Sequence, residues 1–137
     1  MSGPTRHLHQ LSTSAAMHKL DGSSFGRMVF SHQALPAIRL VNHVVDGNSV
    51  VIRVGVDLPP EDLVLTYEAD QIDQHTWLGW CVVVTGMADR VVNAAEVQRF
   101  ERILPLWAHH DAGADQLLRI QAQFVDGFEV RAGAAAA

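Results

Sequence analysis

Thiol chemistry is nearly absent from this chain: of its 137 residues one is cysteine, Cys81. An intrachain disulfide is thereby excluded, and the place of Cys81 in the apolar run Cys81 to Val84 reads as a small buried side chain. Long hydrophobic runs are missing too. None approaches the ~20 residues that span a bilayer, and the first stretch, MSGPTRHLHQLSTS, lacks the apolar core of a signal peptide. A reducing cytoplasm without a membrane partner is therefore the expected setting. Basic residues are few and scattered, ten Lys and Arg against fifteen Asp and Glu, for a formal net charge of -5. With no basic stripe to meet phosphates, nucleic-acid binding is not expected. No Gly-rich phosphate loop, His-Glu-x-x-His helix, Cys pair or nucleophile elbow occurs, which removes the usual nucleotidase, zinc and hydrolase readings.

What is present is a packed, strand-rich chain. A hydrophobic fraction of 48% and a charged fraction of 18% are globular values, and 137 residues make one domain, 1–137. Residues 1–11 and 132–137 read as flexible tails. The densest strand signal runs from Phe25 to Val54: a strand to His32, a break at Gln33 to Pro36, then two longer strands joined at Asp46-Gly47-Asn48. Opposed residues of an antiparallel pair share a face, so loop length decides the neighbours. A two-residue loop places Asn42 with Arg53; a three-residue loop separates them. In the two-residue case Val41, His43, Val45, Val50, Ile52 and Val54 form an apolar face, read as barrel interior. Leu40, Asn42, Val44, Val51 and Arg53 form an outer surface too apolar for plain solvent, which suggests cover by a ligand or a second subunit.

Before this meander, Ser12 or Thr13 caps a short helix bearing Ala16, Met17 and Leu20. After it, GVDLPPED is a stiff connector, Asp62 to Glu68 reads as a fourth strand, and a fifth begins at Trp77 and is apolar enough to suggest cover on both faces. Asn93 to Leu104 is the clearest helix, with Asn93 as N-cap, Glu96 placed as in a capping box, and Val97, Phe100, Ile103 and Leu104 on one stripe. Gln116 to Val130 reads as a last hairpin or pair of strands across Asp126-Gly127. Five to seven short strands with one good helix indicate a mainly β chain with flanking helices, a small β-barrel; a sandwich topology also satisfies the pattern.

Several residues invite chemistry. His109-His110-Asp111 is the one histidine cluster, but adjacent residues on an extended chain point apart and no third ligand can be placed, so a solvated loop is preferred and no metal site is assigned. His43 reads as a hydrogen-bonded core histidine. Arg53, between Ile52 and Val54, must reach solvent, a carboxylate or a bound anion. Trp80 and Trp107 are core or interface residues by default, or platforms for a planar ring.

Taken together, Gly26-Arg27, Leu35 to His43, Val45-Asp46-Gly47, Val51-Ile52-Arg53, Glu68 with Asp70, Ile72 and Asp73, Gly79-Trp80, the helix Glu96 to Leu104, Trp107 and Arg119-Ile120 resemble the pyridoxamine 5'-phosphate oxidase-like family of flavin-binding split barrels, over roughly residues 17–130. The resemblance implies a six-stranded antiparallel split β-barrel and a homodimer with FMN in a groove at its interface. Leu40, Val41 and Asn42 would then lie by the isoalloxazine and Arg53 would approach the phosphate, with Ile52 and Val54 also among the cofactor-binding residues. Trp80 and Trp107 match family aromatics near the groove. One departure stands out: the family's Lys, Ser or Thr loop and short helix after the third strand are replaced by GVDLPPED, which removes phosphate donors and weakens FMN binding. Two functions follow. One is an FMN-dependent oxidoreductase of unknown substrate, whose chemistry needs no side-chain triad. The other is a cofactor-poor split-barrel dimer, or one for another ligand such as haem or a deazaflavin, acting as a binding or regulatory module.

Overall fold

The computed structural model describes residues 5–58, 63–108 and 113–133. In chain order the elements are β1 (Arg6–Gln10), α1 (Thr13–Asp21), β2 (Phe25–His32), β3 (Leu35–Asp46), β4 (Ser49–Val54), β5 (Leu63–Ile72), β6 (Gly79–Arg90), α2 (Ala94–Ile103), β7 (Gln116–Gln121) and β8 (Phe124–Ala132). Strands β6, β5, β2, β3, β4 and β7 follow one another through antiparallel ladders, and Ala88 to Arg90 of β6 pair with Ile120 to Leu118 of β7 to close six strands into a barrel. The first half of β6 pairs with β8 instead, and β1 pairs with β8. The split-barrel expectation is met.

Alternation builds the core. On β5, Leu65, Tyr67 and Ala69 point inward and are buried, and on β6 so do Trp80, Val82, Val84 and Ala88. Val41, Val50, Ile52 and Val54 join them from β3 and β4, with Leu118 and Ile120 from β7. Helix α1 completes this core with Ala16 and Leu20, both 0% exposed. Its N-cap is Ser12, whose Oγ accepts from the Ala15 N–H at 3.1 Å. The second helix, α2, lies on the outside of the barrel. Phe100 and Leu104 pack there with Val51, Val91 and Leu117, flanked by Val44 and Val97, each buried large side chain being worth about 1.5–3 kcal/mol.

The β3–β4 turn is the two-residue one. Asp46 pairs with Ser49 across Gly47 and Asn48, and Gly47 takes φ 61, the left-handed region open to glycine at little cost. Asn42 is accordingly opposite Arg53, and His43 opposite Ile52.

Four expectations are corrected. The outer surface of the β3–β4 hairpin is apolar at Val44 and Val51 because α2 covers them; no ligand or second subunit is needed at that point. The apolar run after Trp77 starts its strand at Gly79 and is buried on one face only, so Cys81, Val83 and Thr85 are half-buried on the outside. Arg6–Gln10 is a strand rather than a fraying tail, held along β8 and tied by Arg6 to the Thr76 carbonyl at 2.9 Å. Asp126-Gly127 is not a turn: it lies inside β8, and β7 and β8 are separated at Ala122 and Gln123. Gly127 is glycine because α1 crosses directly over it, where a Cβ would stand 2.7 Å from that of Ala16. Pro59, Pro60, His109, His110 and Asp111 lie outside the described residues.

Candidate ligand-binding site

The register aligns one row of outward-facing residues across three strands, Phe25 on β2, Asn42 on β3 and Arg53 on β4. At its β4 end the row is covered. Arg53 donates through Nε to Asp115 Oδ1 at 2.9 Å and through Nη2 to Oδ2 at 2.8 Å, a two-pronged pair. Its Nη1 donates to the carbonyls of Leu104 at 3.0 Å and Glu101 at 3.3 Å. A cation on the last carbonyls of α2 complements the negative end of that helix. Asp115 holds the guanidinium pKa above its ordinary value. Of the partners left open by the sequence, Arg53 has a carboxylate.

The next residue in the row fastens the chain beyond α2. Asn42 Nδ2 donates to the Pro105 carbonyl at 2.9 Å, and two residues on Trp107 lies against Phe25 with ring centroids 5.0 Å apart. The β2–β3 half of the face stays open. Phe25 is 46% exposed, Ile38 58%, Leu40 36% and Trp107 44%, and together these make an apolar surface beside the Asn42 amide that no described element covers.

The other residues proposed from the sequence fall elsewhere. Val41, Ile52 and Val54 point into the barrel and have their backbones in the β3 and β4 ladders. Trp80 is an inward residue of the core cluster, on the opposite side of the sheet from Trp107. His43 is the core histidine expected: Nε2 meets the Leu20 carbonyl at 2.9 Å and Nδ1 meets the Tyr67 hydroxyl. With Nε2–H as donor and Nδ1 as acceptor, the neutral ring is satisfied. Burial pushes its pKa down, opposed by the Leu20 carbonyl.

A second outward cluster was not foreseen. Arg27 Nη1 bridges Glu68 Oε1 at 3.0 Å and Asp70 Oδ2 at 3.2 Å, and the Cys81 thiol approaches Glu68 Oε2 at 3.4 Å. Burial, with Asp70 beside it, pushes the Glu68 carboxyl up, and burial together with Glu68 pushes the Cys81 thiol up to about 12. Arg27 is directly opposite Leu40, so this cluster borders the apolar surface. The alternating pattern of β5 and β6 carried the signal, which is lost when β6 is read as covered on both sides. Glu96 does not close a capping box; its carboxylate binds Arg119, which also holds Asp46 at 2.7 Å and fastens α2 to the β3–β4 turn.

Beside the Arg53–Asp115 pair opens a cleft of about 760 Å³, lined by Asp57, Arg90, Glu101, Asp115 and Gln116 among others. Gln116 Oε1, buried there, has no donor among the described residues. The two ends therefore differ in what they fit. The Phe25, Leu40, Asn42 and Trp107 surface suits a planar ring with polar edges. The Arg53 end does not suit a phosphate dianion: its guanidinium is engaged by the Asp115 carboxylate, and Asp57 and Glu101 stand with it in the lining of the neighbouring cleft. Among the described residues no three His, Cys, Asp or Glu side chains are grouped to hold a metal ion, and no helix is long and apolar enough to cross a membrane.

Known proteins resemble this chain along nearly its whole length. A family pattern described as pyridoxamine 5'-phosphate oxidase matches residues 12–129. An uncharacterized protein of Mycobacterium tuberculosis is 37% identical, the match covering 91% of this chain and 87% of the relative. A Corynebacterium glutamicum crystal structure provisionally named a pyridoxamine 5'-phosphate oxidase superposes with a TM-score of 0.73 at 25% identity, over 98% of this chain and 99% of that one. An FAD-binding protein of Mycobacterium smegmatis shares the fold, with a TM-score of 0.63 at 21% identity over 90% of this chain and 98% of that one.

Proposed function

This chain belongs to the pyridoxamine 5'-phosphate oxidase family, and from that premise we propose that it binds the ring of a flavin on the outer face of β2 and β3, between two copies of the chain, as a flavin-dependent oxidoreductase. The observation that carries this reading is the open apolar surface of Phe25, Ile38, Leu40 and Trp107 next to the Asn42 amide. Such a surface is costly in water and is relieved when a planar ring and a second subunit cover it. The flavin, when bound, supplies the redox chemistry. The chain's own part is to hold the ring between apolar side chains, offer the Asn42 amide to its polar edge and exclude water. FMN is the cofactor that the sequence resemblance brings; the open apolar surface supports the reading for its ring portion, and the Arg53–Asp115 pair counts against it for the phosphate portion.

The first experiment is an absorption spectrum of the untreated purified protein, followed by thermal melts with riboflavin and FMN. A flavin band, or a rise in melting temperature with either flavin that Phe25→Ala and Trp107→Ala both diminish, supports the reading. A colourless protein whose melting is unmoved by millimolar flavin refutes it. Light scattering tests the homodimer, and a monomer at about 100 µM counts against it. The closed Arg53–Asp115 pair favours a second reading, a cofactor-poor dimer or one for another ligand acting as a binding or regulatory module; stoichiometric flavin retained through purification excludes its cofactor-free form.

A further inference from the structure

The open outer face does not end at β2. One row of outward residues runs Ile38, Val29, Thr66, Thr85 and Phe124 from β3 through β2, β5 and β6 to β8, each directly opposite the next. The row beside it runs Leu40, Arg27, Glu68, Val83 and Asp126 across the same five strands. The first row holds only apolar and hydroxyl side chains, with Ile38 58% and Phe124 72% exposed and the Thr66 and Thr85 hydroxyls bonded to each other at 3.0 Å. Helix α1 packs on the other side of β8, against Gly127, and α2 packs on Val51 and Leu117, so neither helix covers these rows. Five strands ~4.8 Å apart, taken over about eight residues at ~3.3 Å, present about 500 Å² in projection. With the relief of the side chains and Trp107 alongside, such a face approaches the ~800 Å² that each partner of a standard interface buries.

The second row is where cover is costly. Arg27 Nη1 lies 3.0 Å from Glu68 Oε1 and 3.2 Å from Asp70 Oδ2, so one cation serves two carboxylates and the cluster keeps one surplus negative charge. The groups facing Glu68 are Arg27 from β2, Asp70 on its own strand, the Cys81 thiol of β6, which donates towards Oε2 at 3.4 Å, and, beyond Val83, Asp126 of β8, which accepts from the Gln10 amide at 2.9 Å. No histidine stands in either row. Two copies meeting face to face bring like charge to like and strip it of water, a cost that falls when each cluster takes up a proton. Glu68 is the group placed to take it. Its side chain is 23% exposed against 30% for Asp70, and burial, with Asp70 beside it, already pushes its carboxyl up in the single chain. With that proton in place Arg27 balances Asp70 and the cluster is neutral.

Resting on the reading that a second copy covers β2 and β3, we propose that the subunit contact extends over β5 and β6 and is gated by protonation of Glu68, one proton entering each copy as the dimer forms. Association therefore tightens as pH falls, because the covered state holds the proton more firmly than the single chain. Each copy contributes up to about a tenfold change in the dissociation constant per pH unit.

The test is the dissociation constant of the purified full-length dimer, from sedimentation velocity on a dilution series at pH 7.5, 6.5 and 5.5, for the wild type and Glu68→Gln. The wild type is expected to be at least about tenfold tighter at pH 5.5 than at pH 7.5. Glu68→Gln, permanently uncharged, should be as tight at pH 7.5 as the wild type at pH 5.5 and change less than about threefold between them. General repulsion between chains of net charge -5 acts nearly alike on both proteins. A pH slope shared by the two therefore overturns the inference, as does a wild-type constant that does not move with pH; both leave the flavin and dimer reading standing. Should Glu68→Gln not fold, Asp70→Asn removes the same unit of charge and is held to the same outcome. Where dilution does not split the wild-type dimer, subunit exchange between two dye-labelled populations reads the change: exchange at least about tenfold slower at pH 5.5 supports the inference and equal rates overturn it. A monomer at every pH up to about 100 µM overturns the dimer part of that reading and this inference with it.

Discussion

Replacing Arg53 by alanine distinguishes a ligand-holding arginine from one that holds the fold together. In the structure the side chain is 18% exposed and its partner Asp115 36%. A pair so close to solvent contributes on the order of 1 kcal/mol. The two bonds to the Glu101 and Leu104 carbonyls add about 0.5–1.5 kcal/mol each, and the charge at the helix C-terminus a further ~0.3–1 kcal/mol that overlaps with them. The expected loss is about 2–3 kcal/mol, or roughly 6–10 °C in melting temperature for a domain of this size. Asp115→Ala removes the pair together with the other contacts of Asp115 and is expected to cost at least about 1 kcal/mol, and the double variant should fall short of the sum of the singles by about the energy of the pair. Thermal melts followed by circular dichroism at pH 7 in flavin-free buffer provide the readout. If Arg53→Ala melts within about 1 °C of the wild type, the structural account of Arg53 is wrong. A loss of flavin binding in that variant then reports on the ligand rather than on α2.

Three further outcomes are expected. Gly26→Ala should unfold the protein or lower its stability by more than ~3 kcal/mol, because the added Cβ would sit 2.3 Å from the Glu68 carbonyl oxygen and 2.6 Å from the Tyr67 hydroxyl; a normal denaturant midpoint contradicts the tight β2–β5 packing. His43 has its pKa lowered in the folded state by burial, so the unfolded chain binds the proton more readily. The stability it contributes is complete above the unfolded value of about 6.5 and is lost as pH falls from there through the folded pKa. Melts between pH 7.5 and pH 5 should therefore decline less steeply in His43→Gln than in the wild type, and equal slopes refute this. Cys81, whose thiol burial and Glu68 push up to about 12, should resist iodoacetamide at pH 8 in the native state and react once urea unfolds the chain; rapid native labelling contradicts the cluster geometry.

Local pattern was enough wherever one residue's neighbours along the chain determine its surroundings. Gly47 marked the β3–β4 turn and left its length open between two and three residues; with two residues, the period of two in a strand gives the inner face of Val41, His43, Val50 and Ile52 and the outer face of Asn42 and Arg53. Asn93, followed by an apolar stripe, set α2 for the same kind of reason. The family resemblance extended this to strand number and closure, which no local pattern contains. What approaches from far along the chain stayed hidden. Asp115 is 62 residues from Arg53, and only the barrel closure that lays β7 along β4 brings it there. Gly127 looked like a turn residue because Asp-Gly is a turn signal, whereas the glycine is required by a helix more than a hundred residues earlier. Trp80 and Trp107 look alike as residue types, yet pleating turns one into the core and the return of the chain after α2 sets the other on Phe25. The sequence by itself determined the family, helix α2 and the strands on either side of the β3–β4 turn; β1, the half-open outer face of β6 and the place where β7 ends needed the tertiary structure. The tertiary structure alone decided which groups meet Arg53, because a salt bridge is made between segments whose separation along the chain carries no periodic signal.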